Sequence, residues 1–238
     1  MLSTGLPTCR RPTPMVRAKR APETLNPGRR RPLWEQAVLR GIDVVGAAVG
    51  LAVLAPPMLI VAGIIRLTSR GPALFRQRRV GQGGKPFTLY KFRTMQLGCS
   101  DEPLREMIAR ELRGEKTSVG GSFKLDRDPR ITSVGSWLRR TSFDELPQLL
   151  NVLRGDMALV GPRPCLEWEA AMFPPEFAAR SAVKPGLTGL WQVSGRSTMG
   201  TLDMLRLDLV YVRSRSLQTD LGILARTLPS MLRGGGAR

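Results

Sequence analysis

The chain has 238 residues, enough for one catalytic domain with its own core but short for two independent domains. Its formal net charge of +18 predicts an anionic partner: a nucleic acid, an anionic membrane surface or a phosphorylated substrate. Cys9, Cys99 and Cys165 lie far apart without a C-x-x-C pair, which argues against a disulfide framework or zinc site and favours a reducing, cytosol-facing location. Because the sequence has no histidine, a nucleophile or base must be a carboxylate, lysine, tyrosine, thiol or hydroxyl.

Two N-terminal segments differ sharply in composition. Residues 1–32 are rich in proline and arginine with little apolar surface to bury, which predicts a disordered basic tail. Residues 44–65 are uncharged and long enough to cross a bilayer, but Pro56 and Pro57 predict a sharp break at the middle. Basic residues flank both ends, which favours a helix-break-helix that enters and leaves the same leaflet. A kinked single crossing is the alternative, and these features alone leave the two open.

Short strands are predicted next, at residues 72–75 and 87–95, joined by a hairpin turn at residues 81–85. In the second strand, period two puts Lys91 and Arg93 on one face and Tyr90 and Phe92 on the other. A basic face backed by an aromatic face suits the wall of a phosphate site, and a solvated edge strand is the equal alternative. A helix is predicted from about Pro103 to Leu112.

Adjacent carboxylates, Asp144 and Glu145, stand among arginines in the middle of the chain. The structural alternative is a capping box, because Ser142 and Glu145 have the S-x-x-E spacing. Pro147 fits that helix poorly but suits the first position of a helix from Pro147 to Leu153, closed by Gly155. In that arrangement both carboxylates precede a helix N-terminus and face a ligand, and a carboxylate among guanidinium groups suits phosphate ester chemistry.

Downstream segments offer further candidates. Residues 161–164 predict a stiff turn that presents Arg163 to phosphate oxygens. Residues 184–196 predict a loop, a strand and a loop carrying Gln192 and Arg196, suited to a nucleotide or second phosphate, or equally an ordinary set of turns with Trp191 in the core. A helix that carries Asp208 and Tyr211 is predicted next. A further helix from about Leu217 to Leu232 is expected to lie either in the membrane interface or in the core.

Several ordered segments combine into a specific signature: residues 90–95, 128–132, 138–156, 160–164 and 184–196. Together they resemble the bacterial sugar transferase family, the monotopic polyprenol-phosphate phosphoglycosyl transferases, in its small catalytic form. The resemblance runs from about residue 40 to residue 236, and it implies transfer of a phosphosugar from a nucleotide-sugar, usually a UDP-sugar, to polyprenol phosphate. The products would be a polyprenyl-diphosphosugar and UMP, in the initiating step of exopolysaccharide or other surface glycan synthesis.

The same resemblance implies roles for individual residues. Asp144 would attack the β-phosphate and form a covalent aspartyl phosphosugar, with Mg²⁺ bound near it and Glu145 assisting the acceptor or holding the metal. Lys91, Arg93 and Arg163 match basic positions of the family motifs and would bind substrate phosphates. Gln192 and Arg196 stay candidates for donor binding on the pattern of their own segment. The family also implies a re-entrant helix broken at a proline, which favours the same-side topology.

These inferences predict a mainly helical α+β monotopic membrane protein with a proline-broken re-entrant helix, interfacial amphipathic helices and a small sheet. Its parts are a basic tail (1–32), the re-entrant helix (33–70) and a catalytic domain (71–238) at the cytoplasmic face of the bacterial inner membrane. The expected partners are a UDP-sugar, polyprenol phosphate and membrane lipid, without nucleic acid, and homo-oligomer formation stays open. The competing hypothesis is a non-enzymatic basic adaptor for anionic lipid or nucleic acid, which rests only on charge.

Overall fold

The computed structural model describes residues 31–115, 128–195 and 199–232, so nearly all of the predicted basic tail lies outside the described residues. The described chain is mainly helical with two pairs of short strands, as the predicted α+β class requires. The helices and strands in chain order are α1 (Leu33–Thr68), β1 (Leu74–Val80), β2 (Pro86–Phe92), α2 (Glu102–Leu112), α3 (Ser133–Thr141), α4 (Leu149–Arg154), β3 (Ala158–Val160), α5 (Glu167–Met172), β4 (Gly186–Thr188), α6 (Leu190–Gly195), α7 (Thr201–Ser214) and α8 (Leu217–Leu232).

Helix α1 is long and apolar enough to cross a membrane by length and composition, and most of its apolar window is not buried by the rest of the protein. It is described as one helix of 36 residues that continues through Pro56 and Pro57, so the predicted break does not divide it into two elements. Because proline has no N–H, Pro56 and Pro57 cannot donate the helical hydrogen bonds that the carbonyls of Ala52 and Val53 would otherwise accept. Entry and exit through one leaflet stays a prediction.

Both ends of α1 are fastened to the rest of the protein by hydrogen bonds. Near its start, Arg40 donates to the carbonyls of Val152 and Leu153 at 2.7 and 2.8 Å, which caps the C-terminus of α4. At the far end, the guanidinium of Arg93 donates to the carbonyl of Ser69 at 3.0 Å and to that of Arg70. The two ends of α1 therefore contact the same body of strands and helices.

Strands β1 and β2 form an antiparallel hairpin, and the predicted turn at residues 81–85 is confirmed. The structure corrects the limits of both strands: β1 runs to Val80 rather than Phe75, and β2 ends at Phe92. Phe75 lies directly opposite Lys91, so their side chains share one face of the hairpin. The opposite face carries Phe92, which packs on α1.

Strands β3 and β4 form a short parallel pair. The two chains approach closely at Gly161 and Gly186, because a side chain at Gly186 would meet the Gly161 nitrogen at 2.0 Å. The predicted strand in the 184–196 segment is therefore present, but the loop expected after it is helix α6 instead. The predicted helices around Asp208 and from Leu217 to Leu232 are confirmed as α7 and α8.

Candidate active site

One cavity of about 340 Å³ opens between the β1–β2 hairpin, the turn after β3 and the segment before α4. Its lining contains six cationic and four acidic side chains, so the formal charge of the lining is positive. The cationic residues are Arg79, Lys91, Arg93, Arg130, Arg139 and Arg163, and the acidic ones are Asp101, Asp128, Asp144 and Glu145. An excess of guanidinium and ammonium groups around carboxylates is suited to a diphosphate substrate.

Asp144 and Glu145 line this cavity from a 3₁₀ turn that spans Phe143–Gln148. The residue before it, Ser142, has left-handed backbone angles (φ 57°, ψ 18°), and its side chain makes no capping hydrogen bond to the turn. The capping-box alternative is therefore not formed. The prediction that Pro147 begins the helix was also wrong, because Pro147 lies inside the 3₁₀ turn and α4 starts at Leu149.

The end of α4 agrees with the sequence. Gly155 has a φ of 85°, and its N–H donates to the carbonyl of Val152, which confirms the predicted glycine stop. The 3₁₀ turn, which carries the two carboxylates, and α4 follow each other directly and form one short block. Asp144 is buried and Glu145 is half-buried, so the carboxylates face the cavity from a supported backbone rather than from an exposed loop.

Asn151 fixes this block against the hairpin. Its amide nitrogen donates to the carbonyl of Thr88 at 2.7 Å, and its amide oxygen accepts the backbone N–H of Tyr90 at 3.1 Å. The side chain thus pairs with the edge of β2 as a neighbouring strand would. Because Asn151 is fully buried, both bonds are protected from water. They set the position of the carboxylates relative to Lys91 on the neighbouring strand.

Lys91 faces the cavity, as the period of the strand predicted. Burial lowers its pKa to about 8, and the nearby cations Arg79, Arg139 and Arg163 act in the same direction, whereas Asp144 opposes them. The ammonium group is therefore held among like charges, with the Asp144 carboxylate as its compensating neighbour. An arriving phosphate would relieve this repulsion, which makes Lys91 suited to anion binding.

Arg163 lies in the turn between β3 and α5, at the cavity wall, as predicted. Its Nη1 atom is 3.8 Å from Oε1 of the buried Glu169, while the other carboxylate oxygen of Glu169 lies 3.6 Å from Nη1 of Arg79. Arg79 also donates to the carbonyl of Pro164 at 2.9 Å. The buried carboxylate of Glu169 therefore links Arg79 and Arg163. Arg79, which is also buried, holds the backbone of the turn that carries Arg163.

Arg93 also lines the cavity, but its guanidinium binds backbone and side-chain oxygens just after α1. The hydrogen bonds of Arg93 hold the residues that directly follow α1, and phosphate binding by this residue stays a prediction. Gln192 lines the cavity from α6 beside the buried Trp191. Arg196 lies outside the described residues.

Sequence reasoning missed three residues that support the site: Arg79, Glu169 and Asn151. For Arg79 a local signal existed, because it follows Gln77 by two residues in a strand whose alternate members face the cavity. No local signal marked the contacts that Glu169 and Asn151 make with Arg79, Arg163 and β2, because those partners are distant in sequence. Each residue also has a near partner: the N–H of Leu166 donates to Glu169 at 2.6 Å, and the amide of Asn151 donates to Asp156 at 3.2 Å.

The carboxylates of the cavity fit the predicted Mg²⁺ if the substrate phosphates supply part of its ligands. Among the described residues, no group of three or more His, Cys, Asp or Glu side chains is arranged to hold a metal. Mg²⁺ is commonly bound through one or two carboxylates together with substrate phosphates and water. Asp144 and Glu145, side by side in a cavity with room for a diphosphate, supply that donor set.

Comparison with known proteins identifies relatives across most of the chain. A family model described as bacterial sugar transferase matches residues 34–234. The chain is 46% identical over 221 residues to the UDP-glucose:undecaprenyl-phosphate glucose-1-phosphate transferase of Caulobacter vibrioides, covering 88% of this chain and 75% of that protein. It is 40% identical over 200 residues to the exopolysaccharide production protein ExoY of Sinorhizobium fredii, covering 83% and 87%.

Some of the similar proteins are much longer than this chain. The chain is 42% identical over 200 residues to the undecaprenyl-phosphate galactose phosphotransferase of Salmonella typhimurium, covering 83% of this chain but only 41% of that protein. The chain thus spans less than half the length of these longer relatives. The region that the family model matches contains all of α1 but its first residue, the hairpin, the two carboxylates and the described cavity.

Proposed function

This chain belongs to the bacterial sugar transferase family, and we propose that it transfers a phosphosugar from a UDP-sugar to polyprenol phosphate. The products are a polyprenyl-diphosphosugar and UMP, and the reaction begins the assembly of an exopolysaccharide or related surface glycan. The observation that carries this proposal is the pair Asp144 and Glu145 in a cavity lined by Lys91, Arg139 and Arg163. Names of similar proteins, which include a UDP-glucose:undecaprenyl-phosphate transferase, support the substrate classes.

The first step uses Asp144 as nucleophile. Its carboxylate oxygen attacks the phosphorus that carries the sugar, the bond from that phosphorus to the bridging oxygen breaks, and UMP leaves with the electron pair. A carboxylate attacks without losing a proton first, so the absence of histidine is no obstacle. The neighbouring cations offset the charge that develops on the phosphoryl oxygens.

The second step regenerates the carboxylate. An oxygen of polyprenol phosphate attacks the same phosphorus, and the bond to Asp144 breaks, so the overall exchange of phosphoryl oxygens balances without an added reactant. Glu145 stands beside Asp144 to orient the incoming acceptor or to help hold the metal. Mg²⁺, when bound, would neutralise diphosphate charge and polarise the reacting phosphoryl group.

Lys91 and Arg163 hold the donor diphosphate in this scheme. Lys91 approaches from the hairpin, and Arg163 approaches from the turn after β3, so the two groups contact the cavity from different elements. Gln192, on α6, is positioned on a third element and suits the polar part of the nucleotide-sugar. Distribution over three elements restrains the donor in the orientation that in-line attack requires.

The same-side topology is part of this proposal. A straight helix of 36 residues is about 54 Å long, whereas the hydrocarbon core of a bilayer is about 30 Å thick. A full crossing would place Arg40 and Arg93, which fasten the two ends of α1 to one globular body, on opposite sides of the membrane. Contacts at both ends therefore support a re-entrant α1 and a monotopic protein, and we propose the cytoplasmic face as its side of the membrane.

The test is Mg²⁺-dependent release of UMP when detergent-solubilised protein is mixed with UDP-sugars and polyprenol phosphate. We expect turnover with at least one sugar and recovery of a polyprenyl-diphosphosugar. Omission of the lipid and addition of a chelator are the controls. Failure to turn over any sugar in a broad donor panel would refute the proposal.

A further inference from the structure

We propose that Phe75 and Leu97 form the entry through which the polyprenyl chain of the lipid acceptor reaches the active site. This inference rests on the proposed transfer to polyprenol phosphate and adds the place where the isoprenoid chain binds. The two residues come from different segments, β1 and the loop before α2, and both line the cavity. They form an apolar edge on a site whose interior is strongly charged.

Exposure distinguishes these two side chains from the rest of the cavity wall. Phe75 is 36% exposed and Leu97 is 58% exposed, whereas Leu89, another apolar lining residue, is 3% exposed. Large apolar groups at a cavity opening gain free energy when an apolar ligand covers them, by an amount that grows with the area removed from water. A nucleotide-sugar, with its hydroxyl and phosphate groups, offers no matching surface.

The entry lies where the chain leaves α1. Leu97 packs against the backbone of Gly71, three residues past the end of α1, so closely that a side chain at Gly71 would meet its Cδ1 atom at 2.6 Å. Phe75 is at the start of β1, seven residues after Thr68. The last turns of α1 expose Ile64 and Leu67. A lipid beside α1 therefore meets Phe75 and Leu97 before the charged interior.

The order of groups inside the entry matches the order of groups in the acceptor. The Nζ atom of Lys91 lies 5.2 Å from the centroid of the Phe75 ring, and the Lys91 ammonium interacts electrostatically with Asp144. An isoprenoid chain over Phe75 would therefore place its phosphate at Lys91, on the path to the phosphorus bound to Asp144. Lys91 holds the donor diphosphate in the first step, and after UMP has left it can bind the acceptor phosphate in the second.

Steady-state kinetics of four variants test the inference, with polyprenol phosphate varied at saturating UDP-sugar. We expect Phe75→Ser and Leu97→Ser each to raise the acceptor KM about tenfold, because each loses apolar contact with the chain. Phe75→Leu, which stays apolar, should remain within about twofold of the unmodified protein. Val210→Ser is the matched control, since Val210 is 50% exposed on α7 and does not line the cavity.

The donor half-reaction separates this inference from the proposed function. UMP released in the absence of acceptor should stay at the unmodified level in all four variants, because the inference assigns Phe75 and Leu97 to the acceptor chain and not to the donor. Loss of UMP release by the unmodified protein would refute the proposed function itself. Normal turnover with an unchanged acceptor KM, or a KM increase for the donor instead of the acceptor, would overturn the inference alone.

Photo-crosslinking tests the same contact without relying on the folding or turnover of the serine variants. Benzoylphenylalanine introduced at Leu97, an exposed position, should form a covalent adduct with polyprenol phosphate on irradiation in detergent, detected by intact mass. The same photoreactive residue at Val210 should give no adduct. Equal adduct formation at both positions would show that the lipid contacts exposed apolar surface in general, which contradicts a specific entry.

Discussion

The Nη2 atom of Arg180 donates to the main-chain carbonyl of Arg163 at 2.8 Å, and the same guanidinium is buried against the carboxylate of Asp208. This contact extends the support of the active-site turn into the core of the protein. Asp208 lies on α7, so the helix positions Arg163 through an ion pair that never touches the cavity. We therefore expect Arg180 and Asp208 to act as positioning residues for Arg163, the arginine proposed to bind phosphate.

Arg180→Ala should lower both stability and the apparent affinity for the donor. Breaking a buried ion pair leaves Asp208 as an uncompensated buried charge, which costs about 3–5 kcal/mol. Without Arg180, the turn that carries Arg163 is no longer held through its main-chain carbonyl. We therefore expect the donor KM to rise more than the acceptor KM. Thermal unfolding in detergent and two-substrate kinetics measure these effects.

Arg206→Ala is the control for that variant. Arg206 forms a surface pair with Asp203 at 3.2 Å on the same helix as Asp208, with both side chains more than half exposed. Loss of such a pair has little effect on stability. Equal destabilisation by the two substitutions, or unchanged donor KM in Arg180→Ala, would contradict the positioning role.

The activity should depend on the charge of Lys91. Burial lowers the pKa of Lys91 to about 8, so the free protein loses this positive charge as pH rises through that value. We therefore expect kcat/KM for the UDP-sugar to fall above pH 8. Lys91→Arg should keep its charge and shift the fall to higher pH. A pH profile whose alkaline limb is identical in both proteins would contradict this assignment.

The lowered pKa of Lys91 also predicts how the free energy of unfolding changes with pH. The unfolded chain, in which Lys91 has its ordinary pKa near 10.5, binds more protons than the folded protein between pH 8 and 10.5. The contribution of Lys91 to the free energy of unfolding is therefore unfavourable below pH 8 and improves as pH rises across this range. Bound donor diphosphate should remove this dependence by stabilising the charged form.

Asn151→Ala should loosen the block that carries the two carboxylates. The substitution removes the bonds to Thr88 and Tyr90 and leaves buried polar groups without these partners, so we expect a loss of about 2 kcal/mol in unfolding free energy and a lower kcat. Gln36→Ala, which removes an exposed bond from α1 to the carbonyl of Arg31, should change neither quantity. Unfolding and UMP release measured side by side would reveal the difference.

Local patterns predicted much of this fold. The turn at residues 81–85, the glycine stop at Gly155 and helix α8 all follow from spacing within a few residues, and the structure contains each of them. Period two also placed Lys91 on the face that lines the cavity. These features depend on backbone preferences and on which face is buried, which are local properties.

The errors arise where contacts from distant segments decide the conformation. Ser142 and Glu145 have capping-box spacing, yet the left-handed backbone of Ser142 ends α3 and a 3₁₀ turn follows. Nothing local to Arg93 indicates that its guanidinium fastens the end of α1, and nothing local to Arg180 indicates its bond to the Arg163 carbonyl. Such roles require the tertiary arrangement, because the partners are 17 to 24 residues away.

The topology of α1 can be measured with single cysteines at its start and in the hairpin turn. Cys9 and Cys99 are replaced by serine, whereas Cys165 is retained because it is buried and its pKa is raised by burial, so it should stay unreactive. An impermeant thiol reagent added to intact cells should label neither Leu33→Cys nor Lys85→Cys, both at exposed positions. Both should react after lysis. Labelling of position 33 alone in intact cells would mean that α1 crosses the membrane.

The central claim is that Asp144 becomes covalently bonded to the phosphosugar. Intact-mass analysis of the protein mixed with its UDP-sugar, without acceptor, tests this most directly. We predict an increase of one phosphosugar in the unmodified protein, its disappearance when polyprenol phosphate is added, and no increase in Asp144→Asn. Glu145→Gln separates the two carboxylates, because it should still form the adduct even where turnover is slow. An adduct on Asp144→Asn, or undiminished turnover by that variant, would contradict the account.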